Sequence, residues 1–266
     1  MDRYEIIDEQ IRTYQEFGYI QLPDVLTDGE LERLRRGFDF AVAERERLEH
    51  SSSRSDSDYA SVFLQMVNLW EHVEDIRRHT FSPKIAEIAR QLARKKAIRL
   101  WHDHALIKPA GKQSKASAWH QDLPYWPLKE SGPGQALSCW MAVDDVTVES
   151  GCMQFVPKSH LWGRLDPINL SQPQNIFDYV DEPENKDFTP IPVEMSAGSC
   201  TFHNGLTFHY AGPNQADRPR RAMVTIYMPH GTTYSGKGHV CTDRRSDVLT
   251  VGELLEGDLF PVLANA

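Results

Sequence analysis

The spacing of apolar residues changes in character near Ile98. Before that point, apolar positions recur at the three- and four-residue intervals of helices with one buried face. This pattern predicts helices over Ile7–Phe17, from Thr27 to about Leu48, over Ser61–His79 and over Ser82–Arg94. Gly18 is a typical residue after a helix, and Thr27 with Glu30 has the spacing of a capping box. We also expect a short strand at Tyr19–Leu22 and a polar loop at Ser51–Asp58.

From Ile98 onward, short apolar runs alternate with Gly, Pro and Asn, as in a β-sandwich or barrel. The expected strands are Ile98–Lys108, Ser117–Gln121, Ala136–Asp144, Cys152–Val156, Ser199–His203, Thr207–Tyr210 and Ala222–Met228. The segment 161–190 is polar and contains proline, and so long a connection between strands often serves as a lid. The sequence therefore predicts a mainly β protein with a helical N-terminal part.

Length and charge narrow the class of protein. A chain of 266 residues with 40% hydrophobic and 25% charged residues fits one globular domain, and no apolar run is long enough to span a bilayer. A formal net charge of -9 argues against nucleic acid or an anionic membrane as the main partner. The four cysteines lack metal-type spacing, and the N-terminus lacks a signal-peptide core, so we expect a cytoplasmic protein.

The main chemical signal is the pair His120 and Asp122 at the end of a predicted strand. Side chains two positions apart share one face of a strand, so both can reach one ion. A distant histidine would complete a facial triad and leave coordination positions open, as iron(II) oxygenases require. Two histidines, His203 and His209, compete for this third place.

An arginine cluster follows these histidines. Arg218, Arg220 and Arg221 come after a turn at 211–214 and open the last predicted strand. If His209 and the arginine begin paired strands, a guanidinium lies beside the metal, where it can bind a carboxylate in a bidentate manner.

These motifs together resemble the phytanoyl-CoA dioxygenase family. The resemblance rests on His120-Gln-Asp122, on His209-Tyr-Ala-Gly-Pro-Asn214 and on Arg220 eleven positions after His209. It extends over roughly residues 98–229, including Leu106-Ile-Lys108-Pro109 and Trp140-Met-Ala-Val-Asp144.

The resemblance implies a single oxygenase domain over 1–266. A helical lead-in (1–97) would precede a double-stranded β-helix, the cupin-like jelly roll (98–229), and a C-terminal extension (230–266). It implies Fe(II), 2-oxoglutarate and O2 as cofactor and cosubstrates. His120, Asp122 and His209 would be the metal ligands, while Arg220, Trp140 and His104 would bind 2-oxoglutarate. Ala211, Ser199 and Pro157-Lys158 depart from the usual family pattern, which affects the expected substrate more than the chemistry.

The substrate is the least determined property. Tyr125 and Trp126 directly follow the ligand pair, so we expect them to line the substrate pocket. The acidic balance favours hydroxylation of a small metabolite or natural product over an acyl-CoA. Two alternatives remain open at this stage: a cupin-type metalloenzyme that does not use 2-oxoglutarate, and a non-catalytic jelly-roll binding protein.

Overall fold

The computed structural model describes residues 4–51, 62, 64–111, 114–129, 136–169, 178–242 and 249–266. Its α-helices all lie in the N-terminal part and are α1 (Asp8–Phe17), α2 (Asp28–Ala43), α3 (Arg45–Ser51), α4 (Glu74–Thr80) and α5 (Pro83–Leu92). Among the residues that the structure describes, no helix combines the length and apolarity needed to cross a bilayer.

The strands run from the N-terminal region to the C-terminus. They are β1 (Tyr19–Leu22), β2 (Leu64–Val67), β3 (Ala97–Lys108), β4 (Leu128–Lys129), β5 (Leu137–Ala142), β6 (Met153–Phe155), β7 (Ile191–Val193), β8 (Cys200–Asn204), β9 (His209–Ala211), β10 (Arg220–Pro229), β11 (Thr233–Tyr234) and β12 (Val262–Asn265). The protein is mainly β with helices at its N-terminal end, as the sequence predicts.

The strands form one large and two small antiparallel sheets. The large sheet has the order β1-β8-β5-β10-β3-β12, with β2 also paired to β3, while β7-β6-β9 and β11-β4 form the small sheets. Strands β1, β2 and β12 join the large sheet from outside residues 98–229. The large sheet therefore unites the N-terminal, central and C-terminal parts of the chain.

Two hydrophobic clusters cover the two faces of the large sheet. On one face, helix residues such as Phe38 and Ile88 pack with Met141 and Phe202 of the sheet. On the other face, a cluster that includes residues of the small sheets packs against the large sheet, and this cluster contains Trp140. Side chains of β5 alternate between these faces because successive strand residues point in opposite directions. We call the space between the large and small sheets the interior.

Local sequence signals explain the ends of the first helices. Gly18 ends α1 in the left-handed region at φ 81°, where a residue with a Cβ would be strained. Thr27 accepts the amide hydrogen of Glu30, and the Glu30 carboxylate accepts that of Thr27, so the predicted capping box is present.

Two predicted elements are wrong. The stretch predicted as a helix over Ser61–His79 contains β2, a 3-10 helix at Leu69–Glu71 and only then α4, because β2 pairs with the distant strand β3. Ser117–Gln121 is not a strand, and only His120 forms an isolated bridge. Most of the predicted loop at Ser51–Asp58 lies outside the described residues.

Candidate active site

A backbone bridge brings two of the predicted metal ligands together. His120 and His209 exchange both backbone hydrogen bonds, at 3.1 and 3.0 Å, and their ring centroids lie 4.2 Å apart. Asp122 has helical backbone angles and opens the 3-10 helix Leu123–Tyr125, so its side chain approaches the histidines from a turn. Oδ1 of Asp122 lies 3.5 Å from Nε2 of His120 and 3.4 Å from Nε2 of His209. The three side chains form a group able to hold one metal ion.

Backbone carbonyls select the histidine tautomers that a metal needs. Nδ1 of His120 lies 2.8 Å from the Ala118 carbonyl, and Nδ1 of His209 lies 2.9 Å from the Thr207 carbonyl. A carbonyl can only accept a hydrogen bond, so each Nδ1 carries the hydrogen and each Nε2 keeps its lone pair. Such contacts are typical of metal-binding histidines, whose ring orientation they fix.

The rival histidine has a different contact. Nε2 of His203 lies 3.3 Å from Oδ2 of Asp122, and this carboxylate oxygen is an acceptor. Unlike the other two histidines, His203 has no carbonyl at its buried Nδ1, which lacks a hydrogen-bond partner among the described residues, so Nε2 can carry the hydrogen and donate it to Asp122. Among the described residues, the group that could hold a metal ion contains His209 and not His203.

The surroundings of Asp122 keep its carboxylate ionised. Burial alone would raise the pKa of Asp122, but the electrostatic influence of His209 and the close approach of the His120, His203 and His209 imidazoles hold that pKa well below its ordinary value. The hydroxyl of Ser138 donates a further hydrogen bond of 3.0 Å to Oδ2. An anionic carboxylate between two imidazoles is a donor set suited to a divalent ion.

Arg220 is a buried cation whose guanidinium is not hydrogen-bonded to any described residue. Its side chain is 1% exposed, and Nε and both terminal nitrogens have no hydrogen-bond partner among the described residues. Burial lowers the pKa of Arg220 to about 10, so the group remains protonated at neutral pH. Its guanidinium carbon lies 5.0 Å from the centroid of the Trp140 ring, a cation–π contact. A buried charge without a partner is costly, which indicates an anionic ligand at this position.

Strand geometry connects this cation with the triad. Ser138, which contacts Asp122, and Trp140, which contacts Arg220, are two positions apart on β5 and so share its inward face. Two positions along a strand correspond to roughly 7 Å. His104 also faces the interior, since it and Trp140 flank Val224 of the central strand β10. Burial lowers the pKa of His104 to about 4, against the opposing charge of Asp122, so this imidazole is neutral.

Lys108 lies across the strand pair from Arg220, and no motif in the sequence marks it as a site residue. Lys108 is paired with Arg220 across β3 and β10, and its side-chain nitrogen donates to the carbonyls of Ala211, at 3.1 Å, and Gly212. Burial, together with the charge of Arg220, lowers its pKa to about 6. Asn214 fixes the intervening turn by donating to the Lys108 and Arg218 carbonyls. The spacing of the arginine motif gives no signal for Lys108, because this contact depends on strand pairing.

A cavity next to His120 is covered by the predicted lid segment. The space between its walls, counted together with the open solvent at its mouth, is about 270 Å³. It is lined by residues of the lid and of the metal-binding turn, namely His120, Gln121, Pro124, Tyr125, Leu165, Asp166, Ile168, Tyr179 and Phe208. The Tyr125 hydroxyl donates to the Ile168 carbonyl at 2.7 Å and accepts the Ile168 amide hydrogen at 2.9 Å. Residues 170–177 of the lid lie outside the described part.

Gln121 is a second residue that the sequence analysis did not single out. Its side-chain amide donates to the Gly163 and Leu206 carbonyls at 2.7 and 2.9 Å, and its oxygen accepts the Leu165 amide hydrogen. Gln121 and Tyr125 therefore attach the start of the lid to the turn that carries Asp122. Trp126, in contrast, is absent from the cavity lining and packs in the interior, edge-on to His102.

Comparison with known proteins supports this chemistry. The model of the phytanoyl-CoA dioxygenase (PhyH) family matches residues 14–222. The chain belongs to the phytanoyl-CoA dioxygenase family. Members of this family are non-haem iron oxygenases that use 2-oxoglutarate and O2, and this chain is such an enzyme. Family membership and the partnerless Arg220 favour this function over both alternatives left open by the sequence.

Individual relatives differ in what they act on. The chain is 27% identical to methylphosphonate hydroxylase of Gimesia maris, over 84% of this chain and 80% of the relative. It is 23% identical to the peroxisomal phytanoyl-CoA dioxygenase of Bos taurus, over 81% of this chain and 66% of that protein.

Solved structures of the same chemical class resemble the whole chain. The 2-oxoglutarate-dependent carbocyclase SnoK from nogalamycin biosynthesis has a TM-score of 0.81 and 28% identity over 97% of both chains. The epimerase SnoN from the same biosynthesis has a TM-score of 0.74 and 30% identity over 97% of this chain and 98% of its own. SnoN has also been solved with Fe3+, alpha ketoglutarate and nogalamycin RO.

Proposed function

We propose that His120, Asp122 and His209 hold the iron and that Arg220 binds the far carboxylate of 2-oxoglutarate. The observation that carries this assignment is the buried guanidinium without a partner, on the same interior face as the His-Asp-His group. Trp140 and His104 would form walls beside the bound dicarboxylate. We further infer that the large and small sheets form the two walls of a jelly roll and that residues 1–266 fold as one oxygenase domain.

The residues of the site fit both iron(II) and 2-oxoglutarate. Two Nε2 lone pairs and one ionised carboxylate supply three ligands of the kind that iron(II) takes, and they leave positions open for other molecules. When bound, iron with 2-oxoglutarate and O2 supplies the oxidising power needed to break a C–H bond. The remaining contributions come from the chain itself.

The protein positions the reactants and excludes water. Ser138 and His203 hold Oδ2 of Asp122, so this carboxylate presents Oδ1 towards His120 and His209. Arg220 fixes one end of the cosubstrate by charge and geometry. The lid, attached through Gln121, closes over the cavity beside His120 and limits the access of solvent.

The cavity favours a small, partly flat substrate. Tyr125, Tyr179 and Phe208 provide aromatic surface, and Asp166 is the one charged residue among the described residues that line it. Both features suit an aromatic natural product better than the polyanionic head of an acyl-CoA. The similarity to SnoK and SnoN over nearly the full chain supports the same view. We propose C–H oxidation of such a molecule, with hydroxylation as the main outcome.

Carbocyclisation is the second candidate outcome. It is favoured by the TM-score of 0.81 to the carbocyclase SnoK over 97% of both chains. Hydroxylation and ring closure both begin with removal of a hydrogen atom from substrate carbon, so the shape of the pocket decides between them.

The experiment is a substrate screen read by mass. Iron-loaded protein receives 2-oxoglutarate, O2 and one of three probes: nogalamycin RO, methylphosphonate or a branched acyl-CoA. Succinate formation reports coupling, while the product mass separates hydroxylation (one oxygen gained), cyclisation (two hydrogens lost) and epimerisation (no change). We expect substrate-stimulated succinate only with nogalamycin RO and none with His120→Ala. Stimulation by the acyl-CoA alone would contradict the proposed substrate class.

The cysteines support a reducing compartment. All four lie within the described residues, are buried and form no disulfide. We therefore propose that the protein works in the cytoplasm.

A further inference from the structure

A second cluster of metal-binding side chains lies away from the His-Asp-His group. His102 of β3 meets His239 and Cys241 of the segment 235–242, and one ligand atom from each lies within 4.8 Å of the others. His102 and Cys241 are 2% and 4% exposed, and the His102 and His239 ring centroids are 5.4 Å apart. None of the three residues belongs to the iron site described above.

His102 shares the interior face of β3 with His104, and an irregularity in the large sheet turns its neighbour Trp101 to the same side. The register between β10 and β3 shifts between Ile226 and Tyr227, so Trp101 is an extra residue on β3. Such a bulge re-aims the neighbouring side chains. Trp101 therefore packs in the interior cluster, stacked on Phe260 at 5.4 Å, next to His102. The bulge thus places two consecutive β3 side chains beside the segment that carries His239.

One of the two ring nitrogens of His102 is buried without a hydrogen-bond partner among the described residues. Its Nδ1 lies 3.3 Å from the carbonyl of Asp103, whereas its buried Nε2 has no hydrogen-bond partner among the described residues. Burial, with the nearby His104 and His239, holds the pKa of His102 well below its ordinary value, so the ring is neutral. A buried polar atom without a partner is costly, and a metal ion would satisfy it.

A tight turn presents the other two side chains together. Nδ1 of His239 accepts the amide hydrogen of Cys241 at 3.1 Å, so the one available lone pair of this ring is on Nδ1, and a metal ion bound there would replace this hydrogen bond. The Thr242 amide and hydroxyl donate to the His239 carbonyl at 2.8 and 3.0 Å. The Thr242 contacts hold the turn that presents His239 and Cys241.

We propose that His102, His239 and Cys241 bind a second metal ion, a borderline-soft divalent cation of the zinc type. Two imidazoles and one thiolate match zinc, which is bound by nitrogen and sulfur ligands, and exclude Mg2+ and Ca2+, which require oxygen. The fourth position takes water or another small ligand. Binding converts the Cys241 thiol to a thiolate and releases its proton to solvent.

Such an ion would fix the segment that covers the metal-binding turn. Ser235 donates its amide hydrogen to the Pro127 carbonyl at 2.9 Å, and the Lys237 ammonium donates to the Pro124 carbonyl and lies 5.8 Å from the Tyr125 ring centroid. The second ion therefore anchors the segment behind Tyr125, and its role is structural.

Cobalt(II) is the probe, because a thiolate ligand gives it an intense near-ultraviolet charge-transfer absorption. The iron site contains no sulfur and cannot produce this band. Metal-free protein is titrated anaerobically with Co(II), and bound metal is counted after removal of the excess. We expect two equivalents and a thiolate band in the parent, and one equivalent with no band in Cys241→Ala.

Matched variants identify the ligands. Cys200→Ala, which removes a buried thiol on the opposite face of the large sheet, should keep the band and both equivalents. His120→Ala should lose one equivalent but keep the band, whereas His239→Ala should lose or strongly weaken it. Zn(II) should displace Co(II) and remove the band in the parent. His239→Ala also decides the matter if Cys241→Ala does not fold.

A folded parent that binds one equivalent and shows no thiolate band would overturn the proposal and indicate a thiol–imidazole hydrogen bond instead. A band that survives in both Cys241→Ala and His239→Ala would overturn it as well. Because the readout needs neither 2-oxoglutarate nor substrate, its failure would leave the proposed oxygenase function untouched.

Discussion

Ser138 and His203 are cross-strand partners on β5 and β8, and both side chains reach the same oxygen of Asp122. Their hydrogen bonds occupy Oδ2, while Oδ1 lies 3.5 and 3.4 Å from the two ligand histidines. The large sheet thereby positions a carboxylate that belongs to a turn outside it. His120 and His209 are thus expected to bind the metal together with Asp122, whereas Ser138 and His203 are expected to orient the Asp122 carboxylate.

The first prediction distinguishes His203 from His209. His203→Ala removes one of the hydrogen bonds to Oδ2, and we expect iron(II) affinity to fall by about 10–100-fold, as for other outer-sphere partners of metal ligands. His209→Ala removes a ligand and should abolish stable binding. Anaerobic equilibrium dialysis against iron(II) measures both. The reverse order of effects would make His203 the ligand.

The second prediction concerns Arg220. Arg220→Ala should raise the apparent KM for 2-oxoglutarate by about 10–100-fold, because hydrogen bonds to a charged group contribute roughly 1.5–3 kcal/mol. Arg220→Lys keeps the charge but not the planar fork, so its effect should be intermediate. Arg218→Ala is the matched control, since that side chain is exposed. An equal change in Arg218→Ala and Arg220→Ala would contradict the assignment.

The third prediction concerns the attachment of the lid. Tyr125→Phe keeps the ring beside His120 but removes both hydrogen bonds to Ile168. We expect the apparent KM for substrate to rise by about 10-fold, with little change in substrate-free consumption of 2-oxoglutarate. Steady-state assays with and without substrate give both values. A parallel loss of the two activities would show that Tyr125 acts on the metal site itself.

The fourth prediction concerns stability and pH. Burial raises the pKa of Asp103 from 3.8 to about 7, despite hydrogen bonds from Thr80 and the Trp70 amide. Between these values the folded state holds a proton that the unfolded chain has released, so the contribution of Asp103 to stability falls as pH rises. Asp103→Asn removes this dependence. Between pH 4 and pH 7, its free energy of unfolding should therefore rise relative to that of the parent by on the order of a few kcal/mol.

Urea unfolding of parent and variant at several pH values measures that difference. Buried neutral histidines, such as His79 with a pKa of about 4, contribute the opposite slope in both proteins and cancel in the comparison. A difference that stays constant with pH would show that Asp103 ionises normally in the folded state.

Much of the fold follows from local sequence signals. The capping box at Thr27, the glycine after α1 and the long apolar strand β3 are confirmed, since each is indicated by neighbouring residues. The helix predicted over Ser61–His79 fails at β2 because a partner strand far along the chain outweighs local periodicity.

The candidate site shows the same division. The sequence spacing predicts a site made of His120, Asp122, His209 and Arg220. The structure groups the first three, and Arg220 lies on the same interior side of the large sheet. The predicted strand before Asp122 is absent, because the chain there is held by the bridge of His120 to His209 and not by a full ladder. No sequence motif predicts the contacts of Gln121 or the grouping of His102 with His239 and Cys241, because both depend on tertiary packing.

An anaerobic titration of metal-free protein with iron(II) and then 2-oxoglutarate tests the central claim most directly. Chelation of 2-oxoglutarate by the bound iron gives a weak visible charge-transfer band. We predict that this band forms in the parent, is absent in His209→Ala and needs about 10–100 times more 2-oxoglutarate in Arg220→Ala. Folded, iron-loaded parent protein that shows no band at saturating 2-oxoglutarate would contradict the account.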